Sequence, residues 1–338
     1  MVTSEQSALV DALARGPIPL DGGFGTRLDA RGNDVTGSLW SAEILRDDPD
    51  EVRSAHADFF GAGARAAITS SYQVSHDGFA RAGGPGAAGG PAASGDASVG
   101  DAAVDALLVR SVELAREAAD EADPGAGAGA AFVLASVGPY GASRGDGSEY
   151  NGAYGDFSAV DALRGWHRRR LRVLAGAGAD ALIAETLPRL SEAEAVCAEV
   201  EGLEAEGLGV PLVLSFTVSG GRLRSGESIS EAARLAERSP SVVAVGVNCA
   251  SAEDATEALR MMGGACSLPL VIYPNSGEVW DAGARSWSGT ARPLVEYVDE
   301  WIGLGARLIG GCCRVDVDEI RAISARVAAA ADATPSRR

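Results

Sequence analysis

Three cysteines hold the residue types and positions most able to do chemistry. Cys249 lies in "GVNCA" (246–250), and Cys312 and Cys313 stand side by side in "ARLIGGCCR" (306–314). Both stretches are apolar runs that break into polar residues, the pattern of a strand reaching its C-terminal end. Three thiolates meeting there would form a soft donor set, suited to Zn2+ rather than magnesium or manganese, with a fourth position left for substrate. Adjacent residues on a regular strand point to opposite faces, so neighbours share one ion only where the strand has broken. Gly310 and Gly311 are expected to supply that break through the backbone conformations open to glycine. Neighbouring strands lie about 4.8 Å apart, so side chains from ends two strands apart can meet at an ion held about 2.3 Å from each sulfur. Two other readings fit the same pair: small buried hydrophobes, or a strained vicinal disulfide. The other two cysteines, Cys197 in a helical pattern and Cys266 in a short linker, read as packing residues. Of the three histidines, His56 and His167 fall in helical patterns and only His76 is near a strand end, so a histidine-rich site is not expected.

Positioning such a site takes a scaffold that gathers strand ends. Eight apolar, β-rich runs recur along the chain, at 17–23, 64–72, 132–140, 180–188, 211–219, 242–250, 268–276 and 306–314. Most are continuous rather than alternating, as in parallel strands covered on both faces. Helical patterns lie between them, such as "SAVDALRGWHRRRLRVLAGAG" (158–178) and "SEAEAVCAEVEGLEAEG" (191–207), the latter opening on Ser191 with Glu194 three residues on, a capping box. Eight such units predict an α/β fold, a (β/α)8 TIM barrel in a single domain over residues 1–330, whose active face is at the C-terminal strand ends. A doubly wound open sheet is the second choice, and no G-x-G-x-x-G follows a strand to support it. Residues at about 83–103 are rich in Gly, Ala, Ser and Pro and read as a flexible insertion, 123–130 as a second loose connection, and 331–338 as a frayed tail.

The chain has 338 residues, 46% of them hydrophobic, and a net charge of −18. Such a surface repels phosphate backbones and anionic membranes, so neither nucleic acid nor membrane is an expected partner. No stretch has the unbroken apolar length of a membrane span, and the N-terminus lacks a basic segment followed by an apolar core. The reading is cytoplasmic, where cysteines stay reduced. Nothing in the sequence sets an oligomeric state.

Taken together, "DGGFGTRL" (21–28), "ITSSYQ" (68–73), "SVGPYGA" (136–142), "DGSEYNGAYG" (146–155), "ETLP" (185–188), "GVNCA", "YPNSGEVWD" (273–281) and "IGGCC" (309–313) resemble the homocysteine S-methyltransferases. The resemblance runs in order from about residue 18 to 325, and "DGSEY" with "YPNSGE" is most similar to stand-alone members that use S-methylmethionine or S-adenosylmethionine. It implies a (β/α)8 barrel with Zn2+ on Cys249, Cys312 and Cys313, and transfer of a methyl group from a sulfonium donor to homocysteine, forming methionine. It also implies that Asp21, Gly22 and Glu185 hold the homocysteine amino group, that Asn248 orders the cysteine loop or touches substrate, and that Tyr72 approaches the metal. Trp280 or Trp287 would face the sulfonium by cation–π attraction. The insertion departs from the family pattern. Two alternatives are a betaine-dependent homocysteine methyltransferase, whose additional C-terminal region the chain is expected to lack, and a zinc- or redox-sensing vicinal-cysteine protein. The folate and cobalamin modules of methionine synthase are not expected at this length.

Overall fold

A computed structural model describes residues 7–37, 39, 41–82, 100–122, 131–281 and 286–333. Within them, eight parallel strands form one sheet: β1 (Ile18–Pro19), β2 (Ala66–Ile68), β3 (Phe132–Val137), β4 (Ala181–Leu187), β5 (Leu212–Phe216), β6 (Val242–Asn248), β7 (Leu270–Tyr273) and β8 (Ala306–Ile309). From β2 onward each pairs with the next in chain order, and β8 pairs back onto β1 with Ile18 opposite Leu308. The seam between β1 and β2 is closed by a single parallel bridge, Leu20 to Ala66, with flanking hydrogen bonds from Asp21 N–H to the Ala66 carbonyl (3.0 Å) and Arg65 N–H to the Pro19 carbonyl (2.8 Å). This is the TIM barrel expected from the sequence, and the ring excludes the open doubly wound sheet.

The core has two shells because each strand is buried on both faces. Inside the barrel, Ile18, Leu20, Ala66, Phe132, Leu134, Ala181, Ile183, Val213, Ala244, Val271 and Leu308 form one cluster, plugged at the bottom by Leu9 and Leu13 of the N-terminal helix Ser7–Arg15. Outside it, residues such as Val133, Leu182, Leu212 and Val245 pack against the helices, including α1 (Pro49–Gly61), α2 (Asp101–Ala122), α3 (Val160–Ala175), α4 (Leu190–Glu204), α5 (Ala252–Gly263) and α6 (Val317–Ala333). Glycine is required where strands approach most closely: a Cβ on Gly246 of β6 would lie 1.7 Å from the Val271 carbonyl oxygen of β7.

Two local expectations change. The helix with the expected capping box begins at Leu190, with Arg189 extended before it, and Ser191 accepts a hydrogen bond from Arg189 Nε (2.8 Å). Its N-terminus is capped instead by Glu227, which accepts from Leu190 N–H at 3.0 Å. Residues 101–103, placed at the end of the insertion, open α2, where Val104 is fully buried. Residues 83–99, 123–130 and 334–338 lie outside the described residues.

Candidate active site

Period-two alternation carries the barrel interior from apolar to polar. Phe132 and Leu134 lead to Ser136, Ala181 and Ile183 to Glu185, Val213 to Ser215, Ala244 and Gly246 to Asn248, and Val271 to Tyr273. All five of these end residues are buried. Above them opens a cavity of about 240 Å³, lined by Asp21, Gly22, Tyr72, Glu149, Tyr150, Glu185, Thr186 and the three cysteines, among others.

The cysteine sulfurs converge. All three Sγ atoms lie within 4.8 Å of one another, and those of Cys312 and Cys313 are 4.0 Å apart, too far for a disulfide. Among the described residues this is the one cluster of histidine, cysteine or carboxylate side chains arranged to hold a metal ion, and no histidine lines the cavity. The chemistry of the donor set fits zinc: three sulfurs from two strand ends, facing a cavity, with no fourth protein ligand in the group. Cys313 is pushed well below the ordinary thiol range because the Cys249 and then the Cys312 thiols hydrogen-bond to it, while Cys312 is pushed up by its hydrogen bonds first with Cys249 and then with Cys313.

The backbone explains how neighbours face one ion. Cys312 N–H bonds to the Pro274 carbonyl (2.7 Å) and Cys313 N–H to Asn275 Oδ1 (3.1 Å), so the end of β7 holds the broken strand in place. The glycine expectation needs correction. Gly310 and Gly311 do not adopt positive φ; among the described residues the left-handed non-glycine ones are Thr186 (φ 57°), Cys249 (φ 49°) and Arg314 (φ 66°). Gly310 and Gly311 are instead small because a Cβ on the first would meet the Asp21 carbonyl oxygen at 2.5 Å and one on the second Val315 Cγ1 at 2.2 Å. Likewise a Cβ on Gly22 would lie 2.5 Å from the Val315 carbonyl oxygen.

Asp21 and Glu185 face the same cavity from β1 and β4. Asp21 Oδ2 accepts from Ile68 N–H (2.8 Å) across the barrel seam. Its carboxyl is pushed well above the ordinary range, first by burial and further by the nearby Glu185, against the Ile68 hydrogen bond. Glu185 accepts a short hydrogen bond from Ser136 Oγ and another from Tyr273 Oη (3.1 Å). Burial still raises its carboxyl to about 7. Two buried carboxylates without a cationic partner suit a cationic ligand.

Asn248 does not line the cavity. Its Oδ1 accepts from Thr186 N–H (2.8 Å) and Ser215 Oγ (2.7 Å), and its Nδ2 donates to Thr186 Oγ1 (2.7 Å). It therefore fixes the end of β4 beside Glu185, at the residue with positive φ. Tyr72 lines the cavity, and its segment is gripped from outside the barrel. Arg170 of α3, buried, donates to the carbonyls of Gly138 (2.8 Å), Ser71 (2.9 Å) and Tyr72 (2.6 Å). The side chains of Trp280 and Trp287 lie outside the described residues. Cys197 is buried in α4 and Cys266 is half-buried, both away from the cavity. Sequence reasoning missed Ser136, Ser215 and Tyr273, the hydrogen-bonding floor. Continuing each inward series by two residues finds all three.

A TIM barrel whose strand ends carry three converging thiols beside two buried carboxylates is the frame of a thiol-handling enzyme. The model of the homocysteine S-methyltransferase family matches residues 18–327, and the chain belongs to that family of methyltransferases. The homocysteine S-methyltransferase of Escherichia coli (strain K12) is 40% identical over 91% of this chain and 94% of its own. Homocysteine S-methyltransferase 1 of Arabidopsis thaliana is 38% identical over 96% and 98%. The crystal structure of the Escherichia coli homocysteine methyltransferase MmuM in its metallated form superposes with a TM-score of 0.79 at 38% identity, covering 94% of this chain and 99% of that one.

Proposed function

We propose that the chain transfers a methyl group from S-methylmethionine, or from S-adenosylmethionine, to homocysteine on a zinc ion held by Cys249, Cys312 and Cys313. The observation that carries this reading is the convergence of the three sulfurs at the mouth of a cavity whose wall holds Asp21 and Glu185. A metallated form of the Escherichia coli relative supports a metal in this cluster. Bound there, zinc lowers the pKa of a coordinating thiol and keeps it as thiolate at neutral pH.

The chain's own residues position the reactants. Asp21 and Glu185 take the α-ammonium of homocysteine through charge-assisted hydrogen bonds. Gly22 keeps the wall beside Asp21 free of side chain, and Asn248 holds Thr186 and with it the end of β4. Tyr72 closes the wall near Cys249. The homocysteine sulfur attacks the donor's methyl carbon in line, and the donor's S–C bond breaks with its electron pair staying on the donor sulfur. S-methylmethionine thus yields two molecules of methionine. Positioning and water exclusion supply most of what the protein contributes.

Net charge favours a sulfonium amino acid over betaine. Among the described residues, the cavity wall includes four carboxylates, Asp21, Asp29, Glu149 and Glu185, but one cationic side chain, Arg314, which is paired with Glu278 at 3.1 Å. An acidic wall favours S-methylmethionine, whose sulfonium and ammonium outweigh its one carboxylate, over betaine, whose charges cancel. The vicinal pair also supports a second reading, a redox-sensitive site, since an oxidised form of the Escherichia coli relative exists. Five free cysteines agree with a cytoplasmic location.

Purified protein with zinc and homocysteine, offered S-methylmethionine, S-adenosylmethionine and betaine at equal concentration, tests the reading. Methionine formation from the first two is expected. Betaine as the fastest donor, or methyl transfer that survives removal of all metal, would overturn it.

A further inference from the structure

Two of the four cavity carboxylates are left unused by this mechanism, the exposed Asp29 and the largely buried Glu149. Glu149 sits in the short 3-10 helix Ser148–Tyr150, between β3 and α3. The backbone there is held tightly. Ser148 N–H donates to Asp146 Oδ1 (3.0 Å), Gly152 N–H to the Ser148 carbonyl (2.8 Å), and a Cβ on Gly141 would lie 2.4 Å from Glu149 N. On either side of the turn, the buried Glu192 accepts from Tyr140 N–H (2.6 Å) and Tyr154 Oη (2.7 Å). The carboxylate is thus presented to the cavity by a fixed loop.

Glu149 Oε2 is shielded from solvent and has no hydrogen-bond partner. The described cations around the turn make their contacts with other groups, though Arg224 keeps a buried Nε without a hydrogen-bond partner. Arg144 pairs with Asp146, Arg189 donates to the Gly152 carbonyl and Ser158, Arg224 lies over the Tyr150 ring, and Arg314 pairs with Glu278. Other partly buried carboxylates in this chain do have cations: Glu51 has Arg31, and Glu199 has Arg164 and Arg168. Burying one carboxylate oxygen without a partner is costly, which is tolerable where the partner is a ligand. Burial raises the Glu149 carboxyl against a hydrogen bond from its own backbone N–H, an effect an incoming cation would reverse. Tyr72 and Tyr150 line the same cavity as Glu149 and Cys249.

We propose that Glu149 seats the α-ammonium of the methyl donor and so determines that the donor is an α-amino acid sulfonium. This rests on the sulfonium reading above. Asp21 and Glu185 serve the first amino acid, and a second amino acid brings a second ammonium. The chemistry also says which positive charge Glu149 takes. The sulfonium charge disappears as the methyl leaves, so a carboxylate holding it would favour the ground state and slow transfer. The ammonium charge persists throughout, so its contact binds ground and transition states alike, lowering KM without changing kcat.

Steady-state kinetics of the wild type, Glu149→Gln and Glu149→Asp test this, with zinc content and thermal midpoint measured on each. For Glu149→Gln the KM for S-methylmethionine should rise about 10- to 100-fold, the loss of one charge-assisted hydrogen bond. Its kcat, its KM for homocysteine and its zinc content should hold, and Glu149→Asp should fall between. Dimethylsulfonioacetate, a sulfonium without an α-ammonium, should show no change in kcat/KM between wild type and Glu149→Gln. An unchanged KM for S-methylmethionine, or equal losses with both sulfonium compounds, would overturn the proposal. Calorimetric binding of S-methylmethionine without homocysteine separates the two readings. Binding without turnover, weakened by Glu149→Gln, keeps this inference and sinks the methyl-transfer reading; absence of binding to the wild type sinks both.

Discussion

Glu185 is enclosed at the end of β4, with its carboxyl pushed from 4.5 to about 7 by burial. An acid whose pKa is raised by folding holds its proton more tightly when folded. Its contribution to stability is full below pH 4.5 and lost as pH rises through about 7. The shift corresponds to roughly 3 kcal/mol at the alkaline end. Without homocysteine, we therefore expect Glu185→Gln to be more stable than wild type above pH 7 in urea denaturation, since its amide keeps partners in Ser136 and Tyr273. The same variant should bind homocysteine about 10- to 100-fold more weakly, through loss of a charge-assisted contact. Equal stability across pH 5–8 for the two proteins would show that the carboxyl is not held high. Cys312 gives a sharper contrast. Cys312→Ala should lose its zinc and its methyl transfer together, whereas Cys197→Ala, buried in α4, keeps both; full zinc content in the Cys312 variant would remove the site assignment.

Elements position these residues from both sides of the barrel wall. Arg170 reaches from α3 to three carbonyls in the loops after β2 and β3. Arg170→Met leaves those acceptors unpaired, and we expect a loss of roughly 3 kcal/mol or more in denaturant unfolding, with Arg170→Lys recovering part. An unfolding midpoint within error of wild type would mean the loops are held by other contacts. All eight strands were legible because continuous apolar runs with helical patterns between them have few competing explanations. The sequence segments nonetheless overran the ladders. Residues 17–23 contain only the short strand Ile18–Pro19, and 64–72 only Ala66–Ile68. The overrun is where the site lies, since Asp21 and Tyr72 belong to strand ends that leave the ladder to face the cavity. The three cysteines could be read because soft donors at strand ends are rare. Arg170 could not, because an arginine in a run of arginines on a polar helix face reads as solvated surface until the fold turns it inward.

At the scale of the molecule, a net charge of −18 surrounds a cavity that is itself acidic. No helix among the described residues is long and apolar enough to cross a membrane. A cationic donor should be drawn in by this field, and salt should weaken the attraction, since screening acts over about 10 Å at 0.1 M. We expect kcat/KM for S-methylmethionine to fall as sodium chloride is raised from about 10 to 200 mM, with little change for zwitterionic betaine. A flat salt profile for both donors would show that the field does not steer encounter.

The seam between β1 and β2 is the thinnest stitch in the ring, one bridge and its two flanking hydrogen bonds. One further stitch across it is the side chain of Asp21, which accepts from the Ile68 amide. A residue assigned to the substrate is therefore also a fastener of the wall. Amide deuteration would read this directly: the Asp21 and Ile68 amides should exchange sooner than those in the middle of β3 to β6, and homocysteine should slow them by drawing Asp21 taut. Occupancy by the amino acid would then register as a tightening of the barrel's own hoop, far from any change in its shape.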